Sequence, residues 1–159
     1  MSSSDSAAEG MFVQALLAFL VLPGVVAYAV PILWLVATSH RRLEQPLGLV
    51  PLVAGCVGLL WCIRDFYVRG KGTLAPWSPP KNLVVVGLYR YSRNPMYVSV
   101  LLVLLGWAAT FDLAGLYTYA AVVAVCFHLR VLINEEPFLA RTHADAWDDY
   151  VRRVPRWLW

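Results

Sequence analysis

Two short stretches of this chain gather side chains capable of binding and proton chemistry. Tyr89, Arg90, Tyr91, Arg93, Asn94 and Tyr97 stand before and at the start of one apolar run, and His128, Arg130, Asn134, Glu135 and Glu136 stand at the end of the next. Guanidiniums clamp anionic groups, carboxylates receive ammonium groups and hydroxyls, and a carboxylate or imidazole can take a proton from an amine. Polar groups are costly beside hydrocarbon, so such a cluster calls for a reason. A charged mouth with aromatic walls suits a charged cofactor that meets an apolar tail. The plainer explanation is a set of interfacial anchors and snorkelling arginines.

The adjacent carboxylates Glu135 and Glu136 sharpen the question. At the C-terminal end of a helix they would oppose its macrodipole, by a few tenths to about 1 kcal/mol each. Either they open a following helix, where Pro137 would sit early and acids are favoured, or at least one receives the donors of a bound cofactor. Arg130 is in the same way either a snorkelling contact to headgroups or a clamp for an anionic substrate.

The elements that must hold these groups are apolar. The chain has 159 residues, of which 60% are hydrophobic and 14% charged, well to the apolar side of a soluble domain. Residues 11–37 carry no charged side chain and are long enough to cross about 30 Å of hydrocarbon. A signal peptide would have a basic leader and a shorter core; the leader, residues 1–10, has no lysine or arginine and reads as flexible. Further apolar runs cover 47–63, 95–111 and 113–133. The expected fold is an all-α membrane protein of about four transmembrane helices plus an amphipathic C-terminal helix. Residues 11–66 form the N-terminal helices and 67–159 a functional core.

Within that core, residues 67–94 are broken by Gly70, Gly72, Pro76, Pro79, Pro80 and Gly87 and read as one long loop. Asn94 is placed to cap the third helix, with Pro95 at its first position. The third and fourth runs are joined so closely that they must form an antiparallel hairpin. After Pro137, Leu139, Ala146, Trp147, Tyr150 and Val154 fall near one helical face, and Trp157 and Trp159 suit the headgroup region. Five basic residues in the long loop, with Arg141, Arg152, Arg153 and Arg156 in the tail, place loop and tail on the cytoplasmic side.

Composition also excludes classes. Cys56, Cys62 and Cys126 lie in apolar runs, which suits small packing residues and neither a disulfide framework nor a zinc site. A net charge of +3 gives no argument for nucleic acid. No dinucleotide-binding glycine motif follows a strand, and the fragment from Gly70 to Thr73 misses the spacing of a phosphate loop.

The stretch GLYRYSRNPMYVSVLLVLLG over 87–106, followed by NEEPFLARTHADAWDDYVRRVP over 134–155, resembles the isoprenylcysteine carboxyl methyltransferase and phospholipid methyltransferase superfamily. The likeness runs from Gly72 onward. It rests on a glycine-tyrosine-arginine-asparagine-proline-tyrosine block opening one helix, a glutamate pair ending the next, and a tail through Tyr150, Val154 and Pro155. The resemblance implies an S-adenosylmethionine site without a Rossmann domain, enclosed by loop, hairpin and C-terminal helix. It further implies that Lys81, Asn82, Leu83, Val84, Tyr89, Asn94, Pro95, Met96, Tyr97 and Glu135 line the cofactor pocket. Arg130, about one position from the arginine such enzymes associate with the substrate, is the candidate on the acceptor side. Two departures stand out: Asn94 replaces a histidine frequent in the eukaryotic carboxyl methyltransferases, and Ala144 replaces a common glycine. Asparagine cannot become cationic, which opens the range of acceptors beyond a prenylated cysteine.

A sulfonium donor is already activated, so a protein that uses it mainly aligns the nucleophile and excludes water. The acceptor expected here is a lipophilic small molecule or lipidated substrate, reached from among the membrane lipids, with Tyr97 and Arg130 beside the reacting atoms. A carboxylate acceptor needs no base. An amine does, for which Glu135, Glu136 or His128 are in reach of the role. The competing classes are a nicotinamide-dependent membrane reductase and a noncatalytic four-helix scaffold or transporter.

Overall fold

A computed structural model describes residues 20–39, 42–66, 68 and 83–158. The described residues are helical and irregular, with no strand among them. A π-helix, Leu20–Ala29, runs into helix α1, Val30–Ala37. A 3-10 turn, Pro46–Gly48, opens α2, Leu49–Asp65, and a second, Gly87–Arg90, precedes α3, Pro95–Phe111. Then come α4, Ala114–Arg130, a π segment, Val131–Glu135, and α5, Glu136–Arg153. By length and composition, two of the helices are able to cross a membrane: Pro46–Asp65 and the continuous helix Ala114–Arg153. The helices of Pro23–Ala37 and Pro95–Phe111 are apolar but shorter.

The first apolar run was expected as one helix over 11–37. Residues 11–19 and the leader lie outside the described residues, and the remainder changes register at its prolines. Pro31 lacks an N–H, and in a π register that N–H would serve the carbonyl five residues back, Val26. The Tyr119 hydroxyl of α4 donates to this carbonyl at 3.2 Å, so a neighbouring helix satisfies what the proline leaves open.

Helices α2 and α3 form the tightest seam, and they run antiparallel. Gly48 faces Thr110 at one end, Gly106 faces Leu52, and Gly55 and Gly58 face Ser99 towards the other. Missing side chains let the two backbones approach, the arrangement favoured where lipid offers no hydrophobic drive for helix association. The main core, with Leu59, Val100, Val103, Leu104, Ala120 and Val123, lies along this seam and against α4. Asp112 closes the α3–α4 hairpin in the left-handed conformation, φ 48°, which aspartate tolerates better than most residues. The end of α2, the start of α3 and the end of α4 therefore share one end of the bundle.

Several sequence expectations change here. Asn94 occupies the N-cap position of α3 but makes no side-chain cap hydrogen bond; its amide is used elsewhere. Glu135 and Glu136 do not end a helix, because the chain passes through the π segment directly into α5; the unfavourable dipole contact does not arise. On α5 and at the residue after it, Trp147, Tyr150 and Val154 are buried and Leu139 packs against them, whereas Ala146 faces outward. Cys62 is buried and Cys56 half-buried, but Cys126 is exposed and packs no core. Trp159 lies outside the described residues.

Helix α5 is bent at Ala144, where φ is 36° and ψ −113°, a conformation that costs a residue with a Cβ. This is the position at which the resemblance leads one to expect glycine. Ala144→Gly is expected to raise stability by about 1 kcal/mol, the relief of strain of roughly 1–3 kcal/mol exceeding the added flexibility of the unfolded chain. Thermal unfolding in detergent measures it, and a lower unfolding temperature would refute strain at this bend.

Candidate active site

Three groups of polar side chains meet at the shared end. The first joins α3 to the π segment. The Tyr97 hydroxyl donates to Glu135 Oε1, and Arg130 Nε donates to the same oxygen at 2.8 Å. Residues five apart in an α-helix point roughly 140° away from each other. The wider π turn over Val131–Glu135 brings Glu135 round to Arg130, which no heptad or 3.6-residue pattern in the sequence announces. The Tyr97 ring lies against Phe127 of α4, centroids 4.3 Å apart.

The second group is a clamp around Glu136. Arg93 Nη1 donates to its Oε1 at 2.8 Å, while Arg156 donates to Oε1 from Nε at 2.8 Å and to Oε2 from Nη2 at 2.7 Å. Arg93 lies over the Trp147 ring, 5.6 Å from its centroid. Burial lowers the pKa of Arg93 from its ordinary value, and the Glu136 carboxylate works in the opposite direction. The same clamp straps down the chain beyond α5. Arg93 N–H donates to the Pro155 carbonyl at 2.9 Å, and the Arg156 carbonyl accepts from Ser92 Oγ at 3.2 Å and from Asn94 Nδ2 at 3.0 Å. Trp157 Nε1 donates to His128 Nδ1 at 3.3 Å, tying this segment to the end of α4 as well.

The third group surrounds the end of α2. Cys62, Val84 and Tyr89 form a small buried cluster with Phe66, Val86, Leu88 and Met96 against it. Tyr89 packs on Phe66, its pKa is pushed well above the ordinary value by burial, and its carbonyl accepts from the Tyr150 hydroxyl at 2.7 Å. Asp65, the last residue of α2, is buried beside this cluster and faces Gly87.

The residues expected to line a cofactor pocket thus divide. Val84, Tyr89 and Met96 share the cluster at the end of α2, and Leu83 packs against Trp147, Tyr150 and Val154. Pro95 is buried, its carbonyl accepting from Ser99 Oγ at 2.8 Å. Tyr97 and Glu135 are joined to each other and to Arg130. Asn94 belongs to the strap, and Lys81 and Asn82 lie outside the described residues. Glu136, one of the expected bases, has both oxygens held by guanidiniums. Sequence reasoning missed Asp65, Trp147 and Arg156 as parts of this end. Asp65 alone left a signal, an acid closing an apolar run.

The chain matches the phospholipid methyltransferase family over residues 33–146, most of its length. It belongs to that family. Among curated proteins it is similar to a nickel-cobalt-cadmium resistance protein of Alcaligenes xylosoxydans, 31% identical over 68% of this chain and 46% of the relative. It is also similar to a cobalt-zinc-cadmium resistance protein of Cupriavidus metallidurans, 29% identical over 69% of this chain and 46% of the relative. The chain therefore spans about half the length of the curated relatives it matches. No solved structure matches it. Membership of the phospholipid methyltransferase family bears out the resemblance read from the 87–106 and 134–155 motifs.

Proposed function

We propose that this protein is an S-adenosylmethionine-dependent methyltransferase that modifies a lipophilic acceptor at the cytoplasmic face of the membrane, with the apolar run 11–37, which ends in α1, and α3 crossing the bilayer beside the two longer helices. The observation that carries the reading is the linkage of Tyr97, Glu135 and Arg130. It sets a tyrosine, a carboxylate and a guanidinium at one point where two apolar helices end. The residues present fit the methyl donor, a cationic nucleoside. Tyr89, Val84 and Met96 supply an aromatic and apolar wall, and Asp65 beside them is a buried carboxylate with an oxygen that no described residue hydrogen-bonds. When bound, the donor supplies an already activated methyl group, so the chain's own work is positioning and water exclusion.

The partners of the polar groups favour an acceptor that needs no base. Glu136 is neutralised by two arginines, Glu135 is hydrogen-bonded by Tyr97 and Arg130, and His128 accepts from Trp157. Arg130 uses Nε on Glu135 and, with five donors in a planar fork, keeps capacity to hold an anionic group. This supports a carboxylate acceptor and transfer like that of the isoprenylcysteine carboxyl methyltransferases over N-methylation of a phospholipid amine. The acceptor's hydrocarbon would enter sideways between helices. The metal resistance in the relatives' names belongs to those proteins; the present reading rests on the methyltransferase family.

Incubating the purified chain with labelled S-adenosylmethionine and a total lipid extract, then identifying the labelled product, tests the activity. Glu135→Gln is expected to slow transfer about 10- to 100-fold, the loss of charge-assisted hydrogen bonds that orient Arg130 and Tyr97. Its unfolding temperature should stay near that of the native chain, since the Glu136 clamp is untouched. Transfer at the native rate would remove Glu135 from the site.

A further inference from the structure

We infer that Asp65 receives the ammonium group of the methyl donor, an assignment that rests on the function proposed above. Asp65 is 6% exposed, yet its Oδ2 has no hydrogen-bond partner among the described residues. Among the described residues, its other oxygen has only Arg64 Nη1 at 3.5 Å, on a side chain that is 72% exposed. That contact is at the limit of a hydrogen bond and is largely screened by solvent. The two glutamates at this end have what Asp65 lacks: Glu135 is held by Tyr97 and Arg130, and Glu136 by Arg93 and Arg156. A buried carboxylate with an orphaned oxygen is costly, and a fold keeps such a group where a ligand completes it.

The surroundings are shaped for that ligand. Gly87, at φ +58°, brings bare backbone over the carboxylate; a Cβ there would strike Asp65 Oδ2 and stand 2.9 Å from Trp61 Nε1. Only a residue without a side chain fits against the acid here, and its backbone conformation favours glycine. Cys62, one turn back on α2, belongs to the cluster with Val84, Tyr89 and Met96, the wall assigned to the nucleoside. The charge of Asp65 calls for a cation. S-adenosylmethionine offers two, and the sulfonium must face the acceptor near Tyr97 and Arg130. The ammonium is the cation left for Asp65.

The test uses the full chain in detergent and two probes that share a nucleoside: S-adenosylhomocysteine, which keeps the ammonium, and 5′-methylthioadenosine, which lacks the aminoacyl arm. Asp65→Asn is expected to weaken S-adenosylhomocysteine about 10- to 100-fold by calorimetry and to leave methylthioadenosine unchanged. Without ligand, the variant should unfold at the native temperature or above it, because a buried charge with only a solvent-screened counter-charge has been removed. Unchanged S-adenosylhomocysteine affinity, equal losses for both probes, or an unliganded chain that unfolds several degrees lower would each overturn the assignment. If the native chain binds neither probe, the methyltransferase reading falls and this assignment with it. If the native chain binds both and the variant behaves identically, only Asp65 is withdrawn.

Discussion

Glu136→Ala is expected to destabilise the chain by roughly 2–3 kcal/mol, less than the loss typical of a fully buried ion pair because the Glu136 and Arg156 side chains are 16% and 33% exposed. The Arg93 side chain is 10% exposed, and its Nε already lacks a hydrogen-bond partner among the described residues. Without the carboxylate, Arg93 and Arg156 would face each other as like charges with nothing between them. The effect should spread, because the same arginines fix the strap: Arg93 holds Pro155 through its backbone, and the Arg156 carbonyl collects Ser92 and Asn94. Unfolding in detergent measures the loss, and limited proteolysis should cut earlier beyond Arg153 in the variant. Combining Glu136→Ala with Arg156→Ala should cost less than the sum of the single changes, since they remove parts of one network. An unfolding temperature equal to the native value would show that the clamp holds nothing.

Gly106→Ala is the second large effect. A Cβ at this position would stand 2.5 Å from both the backbone N and Cα of Leu52, and backbone cannot turn aside as a flexible side chain can. Helices α2 and α3 must then separate or shift along each other, at roughly 1–3 kcal/mol for one added methyl in a closely packed seam. The cost reaches the active end, because the α2–α3 register decides where Asp65 and Tyr89 stand relative to Tyr97. A fall in both unfolding temperature and methyl transfer is therefore expected. Wild-type values for both would mean that the seam has slack which these distances deny. Leu52→Ala on the Gly106→Ala background should not rescue it, since the clash is with backbone atoms.

Much of this architecture is legible in the residues alone. Uninterrupted apolar runs mark α2, α3 and α4, the short polar break at Asp112 announces a hairpin, and Trp147, Tyr150 and Val154 foretell the buried face of α5. These patterns are local: a helix needs only its own spacing of apolar residues and a boundary. The meeting of the start of α3, with Tyr97, and the end of α4, with Arg130, follows from their antiparallel course, so it too was within reach. The family itself is carried by short motifs, and the match over residues 33–146 agrees with them.

Tertiary structure alone decided which partner each polar group takes. Asn94 passes over its own helix to bond a carbonyl 62 residues away, and Arg93 finds Glu136 across 43 residues. Hydrogen-bond choices of this kind depend on which backbone groups other segments leave unsatisfied, and no window of sequence records that. The π turn that swings Glu135 onto Arg130 and the left-handed bend at Ala144 are likewise set by packing against neighbours, since local propensity would continue an ordinary α-helix through both. The orphaned oxygen of Asp65 is the clearest case. Residue type shows an acid at the end of an apolar run, but only the placement of Gly87 and Trp61 around it shows a carboxylate withdrawn from water with one oxygen that no described residue hydrogen-bonds. Pattern determined the helices and the chemical groups available at their ends; the three-dimensional contacts determined which of those groups are spent on holding the fold and which are left to bind.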